Sequence, residues 1–200
     1  PGCWMNSLFS LSELGNREVE HGKGRDVGKS RVVKFEKIHS AKIENIKNLC
    51  GQLPAPGEIV FLWTCNSFNA FTFIPYVIKY SGMIEELCIS TYSINTRIVE
   101  SLTKWYDKGN VRSILLYVSE SLRFRMPAVV DLLEAKARDR EISIVYAWNH
   151  SKVQLIKSNG NYFVVEGSGN FSENAANEQY IFLNNEYVYK FRKGCFDTSR

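Results

Sequence analysis

Three strand-length apolar runs lie between residues 87 and 148: LCISTY (Leu87–Tyr92), SILLYV (Ser113–Val118) and ISIVYAW (Ile142–Trp148). The segments that connect them, Asn95–Lys108 and Met126–Arg140, have the length and apolar spacing of amphipathic helices. Strands that are apolar on both faces and alternate with helices are typical of parallel sheets covered by helices. These residues therefore predict an α/β fold.

The flanking sequence extends this pattern in both directions. Upstream, Ser67–Tyr80 has helical spacing. Downstream, a short helix is expected after Gly169, with Ser172 as its N-cap. Further strand-length segments are Glu58–Thr64, Lys152–Ile156, Tyr162–Glu166 and Gln179–Leu183. The turn sequence SNGN joins the second and third of these segments, which predicts an antiparallel hairpin. The expected fold is a mixed, largely parallel sheet with helices on both faces and a C-terminal antiparallel hairpin that ends the sheet.

The N-terminal part of the chain has a different character. Residues 1–37 read as a basic, loop-rich arm, and residues 38–200 as the catalytic domain, which opens with a short amphipathic helix over Ile38–Leu49. Arg17–Lys47 contains nine Lys or Arg residues and five acidic residues, so it suits an anionic partner or a solvated arm. Gly28-Lys29-Ser30 resembles the end of a phosphate-binding loop, but Lys23 stands where that loop requires glycine.

Composition excludes several classes of protein. The 200 residues are 44% hydrophobic and 23% charged, with a net charge of +4, which fits one soluble globular domain. No apolar run approaches the roughly 20 residues of a membrane-spanning helix, so no transmembrane segment is expected. The five scattered cysteines include no Cys-x-x-Cys pair, which predicts a reducing cytoplasm and no zinc site.

The residues that indicate a chemical function lie between positions 148 and 182. His150 and Lys152 are two positions apart at a strand edge, so the period of a strand places them on one face. Ser168 and Asn170 are also two apart, and glycines on either side of Ser168 allow close approach of a ligand to the backbone. Glu178 begins the last strand. Together these residues predict an anion-binding pocket that contains a nucleophile.

These residues resemble the phospholipase D superfamily, whose signature is His-x-Lys, four residues, Asp, about six residues, and Gly-Ser-x-Asn. His150-Ser151-Lys152 and Gly167-Ser168-Gly169-Asn170 match the two ends of that signature, within a likeness over Ile38–Phe196. There are two departures. Lys157 stands where the signature has Asp, and Ser168 follows Lys152 by 16 positions, a few more than the pattern expects.

The resemblance implies a mechanism for the matched residues. His150 would attack phosphorus and form a covalent phosphohistidine, while Lys152 and Asn170 hold the non-bridging oxygens. Ser168 would add a hydroxyl to this phosphate cradle or bond the imidazole, and Gly169 would contribute to the cradle. Glu178 corresponds by position to the acid that orients the histidine. No cofactor and no metal are implied.

In this superfamily, a histidine from a second copy of the motif protonates the leaving oxygen. This chain contains one complete motif. His21-Gly22-Lys23 has no Gly-Ser-x-Asn after it, and His39 has no Lys two residues on. The resemblance therefore implies a homodimer in which His150 and its symmetry mate face each other, one as nucleophile and one as acid.

Several functions fit this reading. The first hypothesis is a metal-independent endonuclease that cleaves DNA, similar to prophage or mobile-element members. The alternatives are a phospholipase or other phosphodiesterase, a catalytically degenerate module that binds nucleic acid, and a purely structural role. Four aromatic residues that could stack bases have helical spacing and are expected in the core: Phe68, Phe71, Phe73 and Tyr76.

Overall fold

The computed structural model describes residues 43–65, 68–171 and 177–197. The strands in these ranges are β1 (Ile59–Cys65), β2 (Glu86–Thr91), β3 (Ile114–Ser119), β4 (Ile142–Ala147), β5 (Val153–Ser158), β6 (Asn161–Gly167) and β7 (Asn177–Asn184). The helices are α1 (43–50), α2 (Phe73–Ser81), α3 (Thr96–Asp107), α4 (Leu122–Arg125), α5 (Pro127–Ala137) and α6 (Glu186–Asp197). The expectations for residues 1–37 and for the helix beginning at Ser172 lie outside the described residues.

One sheet of seven strands organises the described chain, in the order β1-β7-β6-β5-β2-β3-β4. The prediction of an α/β fold is confirmed, but that of a largely parallel sheet is wrong. Only β2–β3 and β3–β4 are parallel, and the other four neighbouring pairs are antiparallel. The reason is that β1 pairs with β7 at the far edge instead of joining the parallel strands.

The predicted hairpin forms, but it does not end the sheet. Strand β5 pairs with β6 on one side and with β2 on the other, so the hairpin occupies the middle. Five of the six residues of β5 are buried, as expected for a central strand covered on both faces. The hairpin therefore joins the parallel half of the sheet to the antiparallel half.

Helices cover both faces of the sheet, as expected. Leu87 and Ile89 face a core that includes residues of α2, α3 and α5, whereas Cys88 faces a second core with Tyr189 and Phe196 of α6. The alternation of these neighbours follows from the two-residue period of a strand. Helix α6 is not among the helices predicted from the sequence, although Asn185 caps it by accepting a hydrogen bond from Val188 N at 3.0 Å.

The helix predicted over Ser67–Tyr80 begins later than expected. Ala70–Thr72 forms a 3-10 turn, and α2 follows it, with Pro75 in the first helical turn, where no intrahelical partner is needed for its nitrogen. The four aromatic residues assigned to the core are buried: Phe68, Phe71, Phe73 and Tyr76. They are therefore packing residues. Among the described residues, no helix has the length and apolarity that crossing a membrane requires.

Strand β1 leaves one apolar face in solvent. Leu62 and Thr64 point into the core, whereas Ile59, Phe61 and Trp63 are exposed, Phe61 by 75% and Trp63 by 66%. Three large apolar side chains at alternate positions of an edge strand form a patch of the kind that marks protein contacts.

Helix α6 is attached to β2 through Glu86. The carboxylate accepts hydrogen bonds from Tyr189 Oη and from Lys193 Nζ, each at 2.5 Å. Burial opposes ionisation of this group, but the bonds from Lys193 and Tyr189 outweigh it, so the pKa of Glu86 lies below its ordinary value of 4.5. The ionised carboxylate is therefore the form that stabilises the docked helix.

Replacing Glu86 with Gln is expected to lower the free energy of unfolding at neutral pH by about 1–3 kcal/mol, because the ion pair between this carboxylate and Lys193 is lost. A folded-state pKa that is lowered stabilises the protein above the ordinary pKa and ceases to do so as pH falls through the folded value. Urea unfolding should therefore show the largest difference from the parent above about pH 4.5 and a shrinking one below it. Glu186→Gln, which disrupts an exposed pair with Lys190, is the control. An equal loss in both variants would contradict this role of Glu86.

Candidate functional site

A cleft of about 620 Å³ opens where β5 begins and β6 ends. The two strands are held together there by a hydrogen bond from Gly167 N to Lys152 O at 3.3 Å. The residues that line the cleft are His150, Ser151, Lys152, Val153, Glu166, Gly167, Ser168, Asn170 and Arg192. The structure thus brings together four residues that the sequence predicted: His150, Lys152, Ser168 and Asn170.

Asn149 holds the segment that carries His150. Its buried side-chain amide donates to Ser90 Oγ at 2.8 Å and to Tyr117 O at 3.1 Å. Its oxygen accepts from Ser151 N at 2.8 Å and from Ser151 Oγ at 2.7 Å. Because these bonds flank His150 on both sides along the chain and reach two other strands, they fix the backbone at His150.

His150 and Lys152 contact each other directly. Lys152 Nζ lies 3.3 Å from His150 Nδ1 and donates to His150 O at 2.9 Å. An ammonium only donates, so Nδ1 is the acceptor nitrogen and a neutral ring in this contact carries its proton on Nε2. The ring of Tyr92 packs against the imidazole, with 4.7 Å between ring centroids, and the imidazole remains exposed to solvent.

Ser168 and Glu178 form a second contact in the site. Ser168 Oγ donates a short hydrogen bond to Glu178 Oε2 and accepts one from Gln179 N at 3.1 Å. The expected contact of Glu178 with the imidazole is not formed, since no hydrogen bond joins Glu178 to His150 within the described ranges. The strand order explains this outcome, because β6 lies between β7, which carries Glu178, and β5.

The last two residues of the Gly-Ser-Gly-Asn segment, Gly169 and Asn170, differ in their contacts. Asn170 lines the cleft, and its Oδ1 atom is buried without a hydrogen-bond partner among the described atoms. A buried polar atom of this kind beside a cleft is usually satisfied by water or a ligand. Gly169 is buried and does not line the cleft, so any contribution to phosphate binding would come from its backbone.

Lys157, which replaces the signature's Asp, lies at the far end of β5 from His150. Its ammonium forms an ion pair with Glu85 at 3.0 Å and does not line the cleft. Lys157 in place of Asp therefore forms an ion pair outside the cleft and adds no charge to the cleft lining.

Two further groups at the site were not predicted from the sequence. Arg192, on α6, lines the cleft and forms a two-pronged pair with Glu166, with Nε and Nη2 at 2.6 and 2.9 Å from the carboxylate oxygens. Arg125 lies over the ring of Tyr92, with 4.3 Å from its guanidinium carbon to the ring centroid. Asn185 is a sequence signal for the beginning of α6, and this helix carries Arg192. No sequence signal indicates the contact of Arg125 with Tyr92.

Comparisons with known proteins give the fold. No family model matches the sequence, and neither does any curated protein. The structure is similar to the crystal structure of polyphosphate kinase from Porphyromonas gingivalis, with a TM-score of 0.53 and 18% sequence identity. The similar region covers 68% of this chain and 25% of that one. This similarity shows that the chain shares its fold with part of that kinase.

Gly167 provides a test of how tightly the site is packed. A Cβ atom at this position would lie 2.3 Å from Gln179 O and 2.4 Å from Tyr180 Cδ1, so alanine would push β6 away from β7. We expect Gly167→Ala to lower the free energy of unfolding by about 1–3 kcal/mol, measured by urea denaturation.

The matched control is Gly194→Ala in α6, where a Cβ atom would meet nothing within 4 Å. That change should leave stability unchanged or raise it by up to about 1 kcal/mol, because alanine is the better helix former. Equal stability of the Gly167 variant and the parent would show that the contact between β6 and β7 does not exclude a side chain.

Proposed function

We propose that this protein is a metal-independent phosphodiesterase, most specifically an endonuclease that cleaves DNA through a phosphohistidine intermediate. The observation that carries the proposal is the assembly of His150, Lys152, Ser168 and Asn170 from two strand ends around one cleft. Two further observations support it: these residues resemble the phospholipase D signature, and the fold is similar to that of part of a polyphosphate kinase. In this proposal the enzyme acts in the cytoplasm, where its scattered cysteines stay reduced.

The proposed reaction has two steps. The unprotonated imidazole nitrogen of His150 attacks phosphorus, the bond from phosphorus to the leaving oxygen breaks, and an acid protonates that oxygen. Water then attacks the phosphohistidine and gives a proton to the group that protonated the leaving oxygen; the nitrogen–phosphorus bond breaks, which returns the neutral imidazole and releases the phosphate monoester. Lys152 and the Asn170 amide would donate to the non-bridging oxygens, where negative charge increases in the transition state. A phosphate that binds Lys152 Nζ would also release His150 Nδ1 from its contact with the ammonium.

Ser168 and Glu178 act as positioning residues in this proposal. The proton of Ser168 is held by Glu178, and its oxygen accepts from Gln179 N. These bonds fix the segment that leads to Asn170. Glu178 therefore supports the phosphate-binding side of the cleft through Ser168, which differs from the direct contact with histidine that the resemblance implied.

The leaving oxygen needs an acid, and in the proposal it comes from His150 of a second copy of the chain. The exposed apolar patch on β1 supports a dimer near the site. Phe61 and Trp63 line a second cleft, which shares Glu166 and Gly167 with the first. Burial of this patch between two copies would place two His150-containing clefts near one interface.

The central experiment measures cleavage of fluorescent single-stranded and plasmid DNA in excess EDTA. We expect His150→Ala to lower the rate about a thousandfold or more, since it removes the nucleophile, and Lys152→Ala to lower it about a hundredfold or more. Lys157→Ala, outside the cleft, is the charge-matched control and should cleave as the parent does. Mass spectrometry of a quenched reaction should detect a DNA fragment joined to His150 through its phosphate.

The alternatives have distinct outcomes in the same assays. If the parent leaves DNA intact but hydrolyses phosphatidylcholine vesicles or a small chromogenic diester, the enzyme is a phospholipase or another phosphodiesterase. Salt-dependent DNA binding that survives His150→Ala, without hydrolysis of any diester by the parent, would identify a binding module and refute the enzymatic proposal.

The dimer is tested by placing a charge in the patch. We expect Phe61→Asp to convert the dimer to a monomer in sedimentation velocity, because a carboxylate cannot be buried there unpaired. DNA cleavage should fall with it. Tyr187→Asp, at a position exposed by 81% on α6, should leave the oligomeric state unchanged. A monomeric parent at micromolar concentration would refute the proposed interface.

A further inference from the structure

A group of aromatic and arginine side chains lies beside His150 and is used neither by the core nor by the proposed chemistry. Trp148 is exposed by 92% and Phe124 by 83%, the highest values among the large apolar residues described. Tyr92 and Arg125 complete the group, which we call the aromatic–arginine surface.

The parallel half of the sheet brings these residues to one edge. Tyr92 follows β2, α4 follows β3, and Trp148 follows β4, so all three segments leave the carboxyl ends of neighbouring strands. Glu120 N donates to Ala147 O at 2.8 Å, which joins the segment that leads into α4 to the end of β4. Arg123 of α4 also stacks on Tyr146, with its guanidinium carbon 3.8 Å from the ring centroid.

A chain of contacts connects this surface to the nucleophile. The guanidinium of Arg125 stacks on Tyr92 and donates to Tyr92 O at 3.1 Å. The Tyr92 ring in turn packs on the His150 imidazole. A ligand that contacts Arg125 would therefore lie one side chain away from the phosphate proposed to bind at His150.

The charge of Arg125 is available to an anion. Its neighbour Arg123 forms ion pairs with Glu120 and Glu134, whereas no carboxylate within the described ranges lies within 4 Å of the Arg125 guanidinium. Arg125 donates to Ser121 Oγ and to a backbone carbonyl, both neutral groups. The position of Arg125 is thus fixed, and no carboxylate in the described part of the chain compensates its charge.

We propose that the aromatic–arginine surface binds single-stranded nucleic acid, with bases stacked on Trp148 and Phe124 and a neighbouring phosphate on Arg125. This inference rests on the proposed function, because it takes the phosphodiester in the His150 cleft as part of the same strand. Exposed rings next to cations are the means by which proteins bind unpaired bases without reading their sequence.

Single strands fit this surface better than duplexes or membranes. The faces of bases in a duplex are covered by their neighbours, so rings that project into solvent gain stacking only from unpaired bases. Binding in the plane of a membrane usually involves a long amphipathic helix, whereas α4 spans only Leu122–Arg125.

The test measures binding of a labelled oligothymidine and of a duplex of equal length by fluorescence anisotropy in EDTA. All proteins carry His150→Ala, so that the DNA is not cut. We expect Trp148→Ala and Phe124→Ala each to weaken binding of the single strand about 5- to 100-fold, with a smaller effect on the duplex. Tyr187→Ala removes an exposed ring from the start of α6 and should change neither affinity. Binding of the single strand should also quench the fluorescence of Trp148.

The outcomes separate this inference from the proposed function. Unchanged affinity of Trp148→Ala for the single strand would overturn the inference, and so would an equal loss for the duplex. Binding to anionic phosphatidylglycerol vesicles that depends on Trp148, without binding to oligonucleotides, would overturn it and identify a membrane contact. Hydrolysis of a small chromogenic diester by the parent, with His150 intact, tests the proposed function independently of all these results.

Discussion

The antiparallel pairing of β2 with β5 determines where the chemical groups of this protein meet. Because β5 runs against β2, its first residues lie beside the carboxyl ends of β2, β3 and β4. Because β6 runs against β5 and β7 against β6, the end of β6 and the beginning of β7 lie at the same edge. His150, Ser168 and Glu178 therefore lie on the same side of the sheet along the strand direction, although they belong to the ends of three different strands.

The sequence predicts the strands better than it predicts their partners. Apolar runs such as Leu87–Tyr92 indicate a buried strand because both faces must be covered, and this inference holds for β2, β3 and β5. An apolar run carries no information about the direction of its neighbour, so the sequence of Glu58–Thr64 does not show that this strand pairs antiparallel with β7. Its register with β7, from Ile59 and Leu183 to Cys65 and Asn177, joins residues more than a hundred positions apart and depends on tertiary packing alone.

The site was predictable where its residues are close in sequence. His150 with Lys152, and Ser168 with Asn170, are two positions apart at strand ends, and the hairpin brings the two pairs together. Arg192 was missed because its helix was missed, and Arg125 because its contact with Tyr92 crosses 33 positions. The contact of Glu178 was assigned to the wrong partner because position along a strand does not give the order of strands in the sheet.

The charges around the cleft divide into compensated and uncompensated groups, and this division bears on how it would hold a phosphate. Arg192 is paired with the carboxylate of Glu166, whereas the partner of the Glu178 carboxylate is the neutral hydroxyl of Ser168. Lys152 contacts only His150 among the described side chains, and Arg125 contacts neutral partners. The positive charges that an incoming phosphodiester meets without displacing a carboxylate are therefore Lys152 in the cleft and Arg125 beside it. An anionic strand that contacts both would lie across the His150 imidazole, with the Tyr92 ring between its two anchoring points.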